Sequence, residues 1–460
     1  MSGDRRPLAG LLIGHAVSLT GNVLTLVALP LYVLAETGSP AATGLAGAFA
    51  TAPVVLGGAF GGVLVDRLGY RRSSVLADVV SGVTVAAVPV LHATVGLPFP
   101  ALLALVFVSG LLDTPGQTAR TALLPEAAAA AGVPIERAIG WQEATSRGAR
   151  MIGAPVAGLL VGVLGALPVL AVDAATFAVS ALVVTLLVPR GLRPSTEETE
   201  AETGGYWRQF AAGLRFLVRE PLLRAMVLLV LVTNLFDAAK SNVLLPVVAN
   251  RDLGGPAAFG LLVGVMGGGA LIGSLVFSAI GHRLPRRATF VTAFAICGAP
   301  PLWALAAAPP LPVMVAVVAV AGLAAGALNP LMGAVELERV PAAMRARVYG
   351  VIGAGAWAAM PVGALGAGLA ADRFGTTPTL LTIGACYLLV VLTPLLGGPW
   401  RAMRRPPVAP PRPTAPSDIG EDARGQREQF EVRGPSGQPA PAPPSGAGRQ
   451  PARSSGGRNR

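Results

Sequence analysis

The sequence predicts an all-α polytopic membrane protein with 12 transmembrane helices, and three observations indicate this fold class. Of the 460 residues, 53% are hydrophobic and 13% are charged, and the mean hydropathy is +0.63. A soluble chain usually carries about 25% charged residues. The apolar residues form runs of about 20, the length that crosses a hydrocarbon core. The basic residues are concentrated between these runs.

Twelve apolar runs are long enough to cross a membrane as helices. The first run continues well past the length of a signal-peptide core, so we expect it to remain in the protein as a helix. The runs cover residues 8–34, 41–65, 73–91, 99–118, 138–164, 168–188, 222–249, 259–280, 288–307, 312–335, 348–370 and 378–396.

The positions of the arginines support this count, because cytoplasmic loops of membrane proteins collect basic residues. Most arginines fall on the side of the N-terminus, Arg120 and Arg137 among them, whereas the loops on the opposite side contain Arg251 and Arg373. We therefore expect both termini in the cytoplasm. This topology also accounts for the net charge of +11 without a nucleic-acid partner, since aromatic residues do not alternate with a basic patch.

Residues 190–220 interrupt the apolar pattern and are predicted to be a cytoplasmic linker. An acidic run, TEETEAET, precedes the segment YWRQFAAGLRFLVRE, whose apolar residues recur at helical intervals between basic ones. This spacing predicts an amphipathic helix on the inner membrane surface. The linker separates an N-terminal six-helix half, residues 1–189, from a C-terminal half, residues 221–398.

A weak internal repeat indicates that the two halves are pseudo-symmetric. Arg137 and Gly140 recur as Arg347 and Gly350, an offset of 210 residues (347 − 137). Internal duplication is common in secondary transporters, which place a binding site between two related halves. Residues 399–460 are rich in Pro, Gly, Ser and Arg and are predicted to form a disordered cytoplasmic tail.

The loop between the second and third runs contains a charged, glycine-containing motif, G-x-L-x-D-R-x-G-x-R-R. Its members are Gly62, Leu64, Asp66, Arg67, Gly69, Arg71 and Arg72. A positive-inside loop explains the arginines but not the aspartate or the glycines. The motif resembles the loop between helices 2 and 3 of major facilitator superfamily transporters.

This resemblance implies two six-helix halves that alternate access to a central site without a cofactor. It also implies a gating role for the motif, with Asp66 facing the start of the eleventh helix near Arg345. The stretches TGSPAATGLAGAF, DAATFAVSAL and GARMIGAPVAG are similar to exporters of drugs, macrolides and siderophores. That similarity implies a drug:proton antiporter in the plasma membrane.

The seventh run contains polar and ionisable residues near mid-depth, where such groups are costly and usually functional. These are Asn234, Asp237 and Lys240, with Asp237 and Lys240 three residues apart on one helical face. A salt bridge that opens on proton binding would couple transport to a gradient, whereas a permanent pair would only neutralise itself. With Asn22 and Asn329, these residues are predicted to supply the polar groups of an apolar substrate cavity between helices 1, 4, 7 and 10.

A second charged group is predicted nearer the cytoplasm. Glu143 and Arg147 are four residues apart on the fifth helix, and Arg150 lies one turn deeper. Asp113 on the fourth helix is at a similar depth and is placed to pair with Arg147. The alternative is a structural charge cluster below an inner gate.

The chain lacks the features of an ATPase or of a metal site. Ala239 precedes Lys240, the single lysine, where a phosphate-binding loop needs glycine. Cys297 and Cys386 both fall within apolar runs, which favours neither a metal site nor a disulfide.

We therefore predict a monomeric secondary efflux transporter, not an enzyme, whose partners are a small amphipathic organic substrate, protons and lipid. The alternatives are an importer of a small nutrient and a membrane protein whose tail recruits a partner.

Overall fold

The computed structural model describes residues 4–192, 206–341 and 344–403. It is helical throughout, and 12 of its helical segments are long and apolar enough to cross a membrane, which confirms the predicted number of spans. The acidic run of the linker and residues 404–460 of the predicted tail lie outside the described residues.

The described residues form 16 α-helices, several of which combine into one span. They are α1 (Arg6–Thr37), α2 (Pro40–Leu68), α3 (Tyr70–Thr94), α4 (Phe99–Ala131), α5 (Ile135–Leu164), α6 (Ala166–Leu187), α7 (Tyr206–Arg219), α8 (Pro221–Ala239), α9 (Leu245–Asp252), α10 (Pro256–Ile280), α11 (Arg286–Ala307), α12 (Leu311–Ala325), α13 (Leu328–Arg339), α14 (Arg345–Ala358), α15 (Met360–Phe374) and α16 (Thr376–Leu392).

The helices form the two pseudo-symmetric six-helix halves of the predicted fold. In the first half, α1 packs against α5 and α6, and α3 packs against α4 and α6. In the second half, α8 packs against α15, α10 against α12, and α11 against α16. The halves meet where α2 crosses α15 and where α5 crosses α10.

Glycine pairs allow the helices of the two halves to approach closely at both crossings. A Cβ atom at Gly158 of α5 would lie 2.9 Å from the Cα atom of Gly260 on α10, and one at Gly44 of α2 would lie 3.1 Å from the Cα atom of Gly368 on α15. Both crossings are at the end of the bundle where α1 finishes. At the same end, the Ser39 hydroxyl donates a hydrogen bond to the Asp372 carboxylate at 2.7 Å.

Three spans of the second half are interrupted, although each corresponds to one continuous apolar run in the sequence. A π-helical turn, Lys240–Leu244, separates α8 from α9. Its wide turn precedes Pro246, which has no amide hydrogen to donate to the carbonyl of Asn242. The tenth span breaks between α12 and α13, and the eleventh breaks at Ala359 between α14 and α15.

Two boundaries differ from the prediction. The fourth helix continues to Ala131 rather than ending near residue 118, so Arg120 is inside the helix and not in a cytoplasmic loop. The 3₁₀-helical segment Gly398–Met403 is part of the packed structure, since Trp400 is buried and its ring lies 5.6 Å from that of Phe290. The described structure therefore includes residues 399–403, which were predicted to be the first residues of the tail.

The helix of the linker, α7, packs against the second half. A Cβ atom at Gly213 would lie 2.7 Å from the carbonyl oxygen of Arg347 on α14, and Leu217 is buried in the main core. Leu214 remains 43% exposed. Part of the apolar surface that was predicted to face lipid is therefore covered by α14.

Candidate functional site

A cavity of about 670 Å³ is the candidate substrate site. Of the described residues that line it, all except Leu26 of α1 belong to the segment from α8 to α15. The lining is mostly apolar and includes five methionines: Met226, Met266, Met314, Met332 and Met360. Methionine is flexible and polarisable, so such a lining can adapt to ligands of different shape.

Asp237 and Lys240 line this cavity and form an ion pair. The Lys240 Nζ donates to Oδ1 of Asp237 at 2.6 Å, and the two side chains are 11% and 36% exposed for Lys240 and Asp237 respectively. The Tyr387 hydroxyl donates to the other carboxylate oxygen at 3.5 Å. Lys240 is also the first residue of the π-helical turn, so the ion pair lies at the interruption of its span.

Two of the three predicted asparagines are in the same cavity. Asn234 and Asn329 line it, and the Asn234 side-chain amide donates to the carbonyl of Ala356 at 2.7 Å. Ala356 precedes the break between α14 and α15, so Asn234 links the seventh span to the interrupted eleventh span.

Asn22 is not among the described residues that line the cavity. Its side-chain amide instead donates to both carboxylate oxygens of Asp113 at 3.3 Å. The cavity is lined by Leu26 of α1 and by residues of the second half, among them residues of the seventh and tenth spans that were predicted to line it, whereas α4 contributes none of the described lining residues.

The predicted inner charge cluster is divided in the structure. Asp113 accepts hydrogen bonds from Asn22 and from Gln117, the latter at 2.7 Å, rather than pairing with Arg147. Arg147 lies 3.7 Å from Glu143, and both side chains are about half exposed, as expected for a weak surface pair. Arg150 is exposed.

The charged, glycine-containing motif between the second and third spans, here called the hinge motif, is partly described by the structure. Gly69 separates α2 from α3 with φ of 84°, a value that glycine adopts readily. Arg71 donates to the carbonyl of Thr185 at 2.6 Å and to that of Val188 at 2.7 Å. It therefore satisfies carbonyl groups at the end of α6, where a cation is also favoured by the helix dipole.

The other members of the motif give less information. Gly62, Asp66 and Arg67 lie within α2, but their surroundings are outside the described part of the chain. Arg72 is exposed. The predicted gating role of the motif stays a prediction.

A buried ion pair in the first half was missed because Arg120 was assigned to a loop. Its guanidinium lies 2.5 Å from Asp78, and these side chains are 2% and 1% exposed. The guanidinium also donates to Ser74 at 2.9 Å, and Ser180 donates to Asp78 at 2.7 Å. The apolar residues that follow Arg120 were the available signal that α4 continues beyond it.

Two further acidic residues were not predicted as site residues. Asp173 of α6 is fully buried and accepts hydrogen bonds from Thr25 and Thr176. Its carboxylate lies so close to Gly21 that a larger side chain at residue 21 would clash with it. Glu336 of α13 lines the cavity. Asp173 lies inside an apolar run and Glu336 directly follows one, and that pattern was the signal in the sequence.

Comparisons with known proteins agree with this architecture. The chain is 32% identical over 391 residues to the multidrug efflux pump Tap of Mycolicibacterium fortuitum. The aligned region covers 84% of this chain and 94% of Tap. It is 23% identical over 390 residues to macrolide efflux protein A of Streptococcus pyogenes, covering 82% of this chain and 93% of the relative. The crystal structure of the nucleoside transporter NupG shares the fold with a TM-score of 0.71 at 14% identity, covering 86% of this chain and 98% of NupG.

The match to a family model extends across the membrane domain. The model described as transmembrane secretion effector matches residues 7–405, which include nearly all of the 12 candidate spans. This family consists of membrane transporters and not of enzymes. The chain therefore belongs to the transmembrane secretion effector family of the major facilitator superfamily.

Proposed function

We propose that this protein is a secondary active transporter that exports a small amphipathic organic compound, such as a drug or antibiotic, by proton antiport with alternating access. The observation that carries the proposal is the apolar cavity with the Asp237–Lys240 ion pair in its wall. The names of the relatives, multidrug efflux pump and macrolide efflux protein, support export as the direction and drug-like molecules as the substrates.

The chemistry of the ion pair supports coupling to protons. An isolated lysine or aspartate is costly within a membrane, and each neutralises the other while the pair is closed. Protonation of Asp237 would release Lys240 from the contact at 2.6 Å. Because Lys240 begins the π-helical turn, the release would act directly on the interrupted seventh span.

The packing of the two halves supports alternating access. The glycine contacts and the Ser39–Asp372 hydrogen bond close one end of the bundle. If both termini are cytoplasmic in the plasma membrane, as we propose, the end closed by these contacts faces outward, and export requires it to open.

Coupling is tested with Asp237→Asn and Lys240→Ala, each reconstituted in lipid vesicles with the macrolide erythromycin as the probe. We expect each variant to lose about tenfold or more of the transport that a pH gradient drives, a change of about 1.4 kcal/mol or more. Asp237→Asn should retain exchange of labelled for unlabelled erythromycin, because exchange needs no net proton movement.

The control for coupling is Asp252→Asn, which removes a charge at an exposed position at the end of α9. We expect this variant to transport like the wild type. Gradient-driven transport that is unchanged in both Asp237→Asn and Lys240→Ala would disprove the coupling role. An absence of any erythromycin export by the wild type, with accumulation instead, would favour an importer.

Gating by the hinge motif is tested with Asp66→Ala. The helix that carries Asp66, α2, contacts α14, the helix that begins at Arg345, which is the region that the family resemblance assigns to this aspartate. We expect the variant to be inserted and expressed like the wild type, measured by membrane immunoblot, while its export rate falls severalfold. Normal export by Asp66→Ala would show that the aspartate does not take part in gating.

A further inference from the structure

The cavity contains one carboxylate that pairs with no described side chain. Three formally charged side chains are among the described residues that line it: Asp237, Lys240 and Glu336. Asp237 and Lys240 neutralise each other at 2.6 Å. The carboxylate of Glu336 forms no hydrogen bond or ion pair with any side chain that the structure describes.

The position of Glu336 explains why it faces the cavity. Asn329, Met332 and Glu336 all line the cavity and are spaced at i, i+3 and i+7, so they occupy one face of α13. Glu338 lies off this face and forms a bidentate pair with Arg286, with both distances 2.6 Å. The two acids of α13 therefore differ, because one is paired at the surface of the bundle and the other is directed into the cavity.

The basic groups nearest to Glu336 in the chain are engaged elsewhere. Arg339 donates to Glu220 at 3.4 Å and to the carbonyl of Ala402. Arg345 donates to the carbonyl of Leu337 at 3.3 Å. A carboxylate at membrane depth is retained when it faces a cavity that admits water, and its cost is offset when a cation binds there.

The other groups around the cavity suit an organic cation. Trp357 and Phe294 line it and provide aromatic faces that attract a desolvated cation, and the methionine sulfurs are polarisable. Asn234 already donates to a backbone carbonyl, which leaves fewer free amide donors for a substrate that needs several hydrogen bonds.

We infer that Glu336 makes this cavity selective for amphipathic organic cations, as the electrostatic partner of the cationic group. The inference rests on the proposed export function, whose substrate class it narrows. Glu336 is a specificity-determining residue in this scheme, and the Asp237–Lys240 pair is left for coupling.

The test uses two probes of nearly the same size and shape. Methyltriphenylphosphonium carries a permanent positive charge, and triphenylphosphine oxide is neutral. Equilibrium binding of each probe to the purified full-length protein in detergent is measured for the wild type, Glu336→Gln, Glu336→Asp and the exposed control Asp252→Asn.

We expect the wild type and Asp252→Asn to bind the cation more tightly than the neutral probe. Glu336→Gln should weaken cation binding about tenfold or more, in line with the loss of one charge-assisted contact, and leave binding of the neutral probe unchanged. Glu336→Asp should keep part of the preference. The thermal unfolding midpoint of each variant, compared with that of the wild type, serves as the check that it is folded.

Two results would overturn the inference. One is a wild-type protein that does not prefer the cation, and the other is a Glu336→Gln variant that loses affinity for both probes equally or for neither. Export of erythromycin by the wild type is measured in parallel. If the wild type exports erythromycin without any preference for the cation, the inference on Glu336 fails and the transport function stands. If it exports nothing but binds the cation through Glu336, the transport function fails instead.

Discussion

Replacing Arg120 by alanine is expected to lower the free energy of unfolding by about 3–5 kcal/mol, because the change leaves the Asp78 carboxylate buried without its cation. Asp78 is 1% exposed and lies 2.5 Å from the guanidinium. The serines around it supply hydrogen bonds but no charge. The measurement is the thermal unfolding midpoint of the purified protein in detergent. Unfolding is monitored through the reactivity of the cysteine thiols.

The control for this prediction is Arg137→Ala, which removes an exposed arginine near the start of α5. We expect its unfolding midpoint to match that of the wild type. The double variant Arg120→Leu/Asp78→Leu should be more stable than Arg120→Ala, because removing both charges abolishes the desolvation cost. An Arg120→Ala midpoint equal to that of Arg137→Ala would contradict the assigned role of the pair.

Replacing Gly158 by leucine is expected to reduce transport about tenfold or more by forcing α5 and α10 apart. In the present packing, a Cβ at residue 158 would lie 2.9 Å from the Gly260 Cα, and one at residue 260 would lie 2.8 Å from the Gly158 Cα. Backbone atoms on both sides cannot move aside as a side chain could, and overpacking of this kind typically costs about 1–3 kcal/mol. The closed end of the bundle should therefore open.

The opening is measured as a distance between spin labels on cysteines placed at Val163 of α5 and Phe374 of α15, after replacing the two native cysteines by alanine. Both positions are exposed and lie at the closed end, in different halves. We expect the distance to increase in Gly158→Leu. Gly162→Leu is the matched control, because a Cβ at this position would meet no atom within 4 Å. If the two variants transport equally well, the close approach at Gly158 is not needed for function.

Much of the fold follows from the sequence by simple physical rules. The length of each apolar run and the gathering of arginines between runs determine the number of spans. Asp237 and Lys240 were predicted to pair because three residues bring side chains onto one helical face, and the structure places them 2.6 Å apart. Local spacing along a single helix is therefore enough to predict such contacts.

Contacts between helices could not be predicted in the same way. Asp113 was placed opposite Arg147 on the basis of depth alone, but depth does not specify which helix face points where. The structure pairs Asp113 with Asn22 instead. Spans that line the cavity are interrupted at Lys240, at Ala359 and between α12 and α13, and the prolines in the sequence do not by themselves show which spans are interrupted.

The first half consists of continuous helices and the second half contains interrupted ones. This difference should determine where mutations that change the range of exported compounds occur. A half held together by the Arg120–Asp78 network has little tolerance for change, since each substitution disturbs several partners. The methionine-lined half can absorb new side chains by local adjustment. Natural variants with an altered range of exported compounds should therefore carry their substitutions between α8 and α15, while changes in the first half reduce the amount of transporter in the membrane.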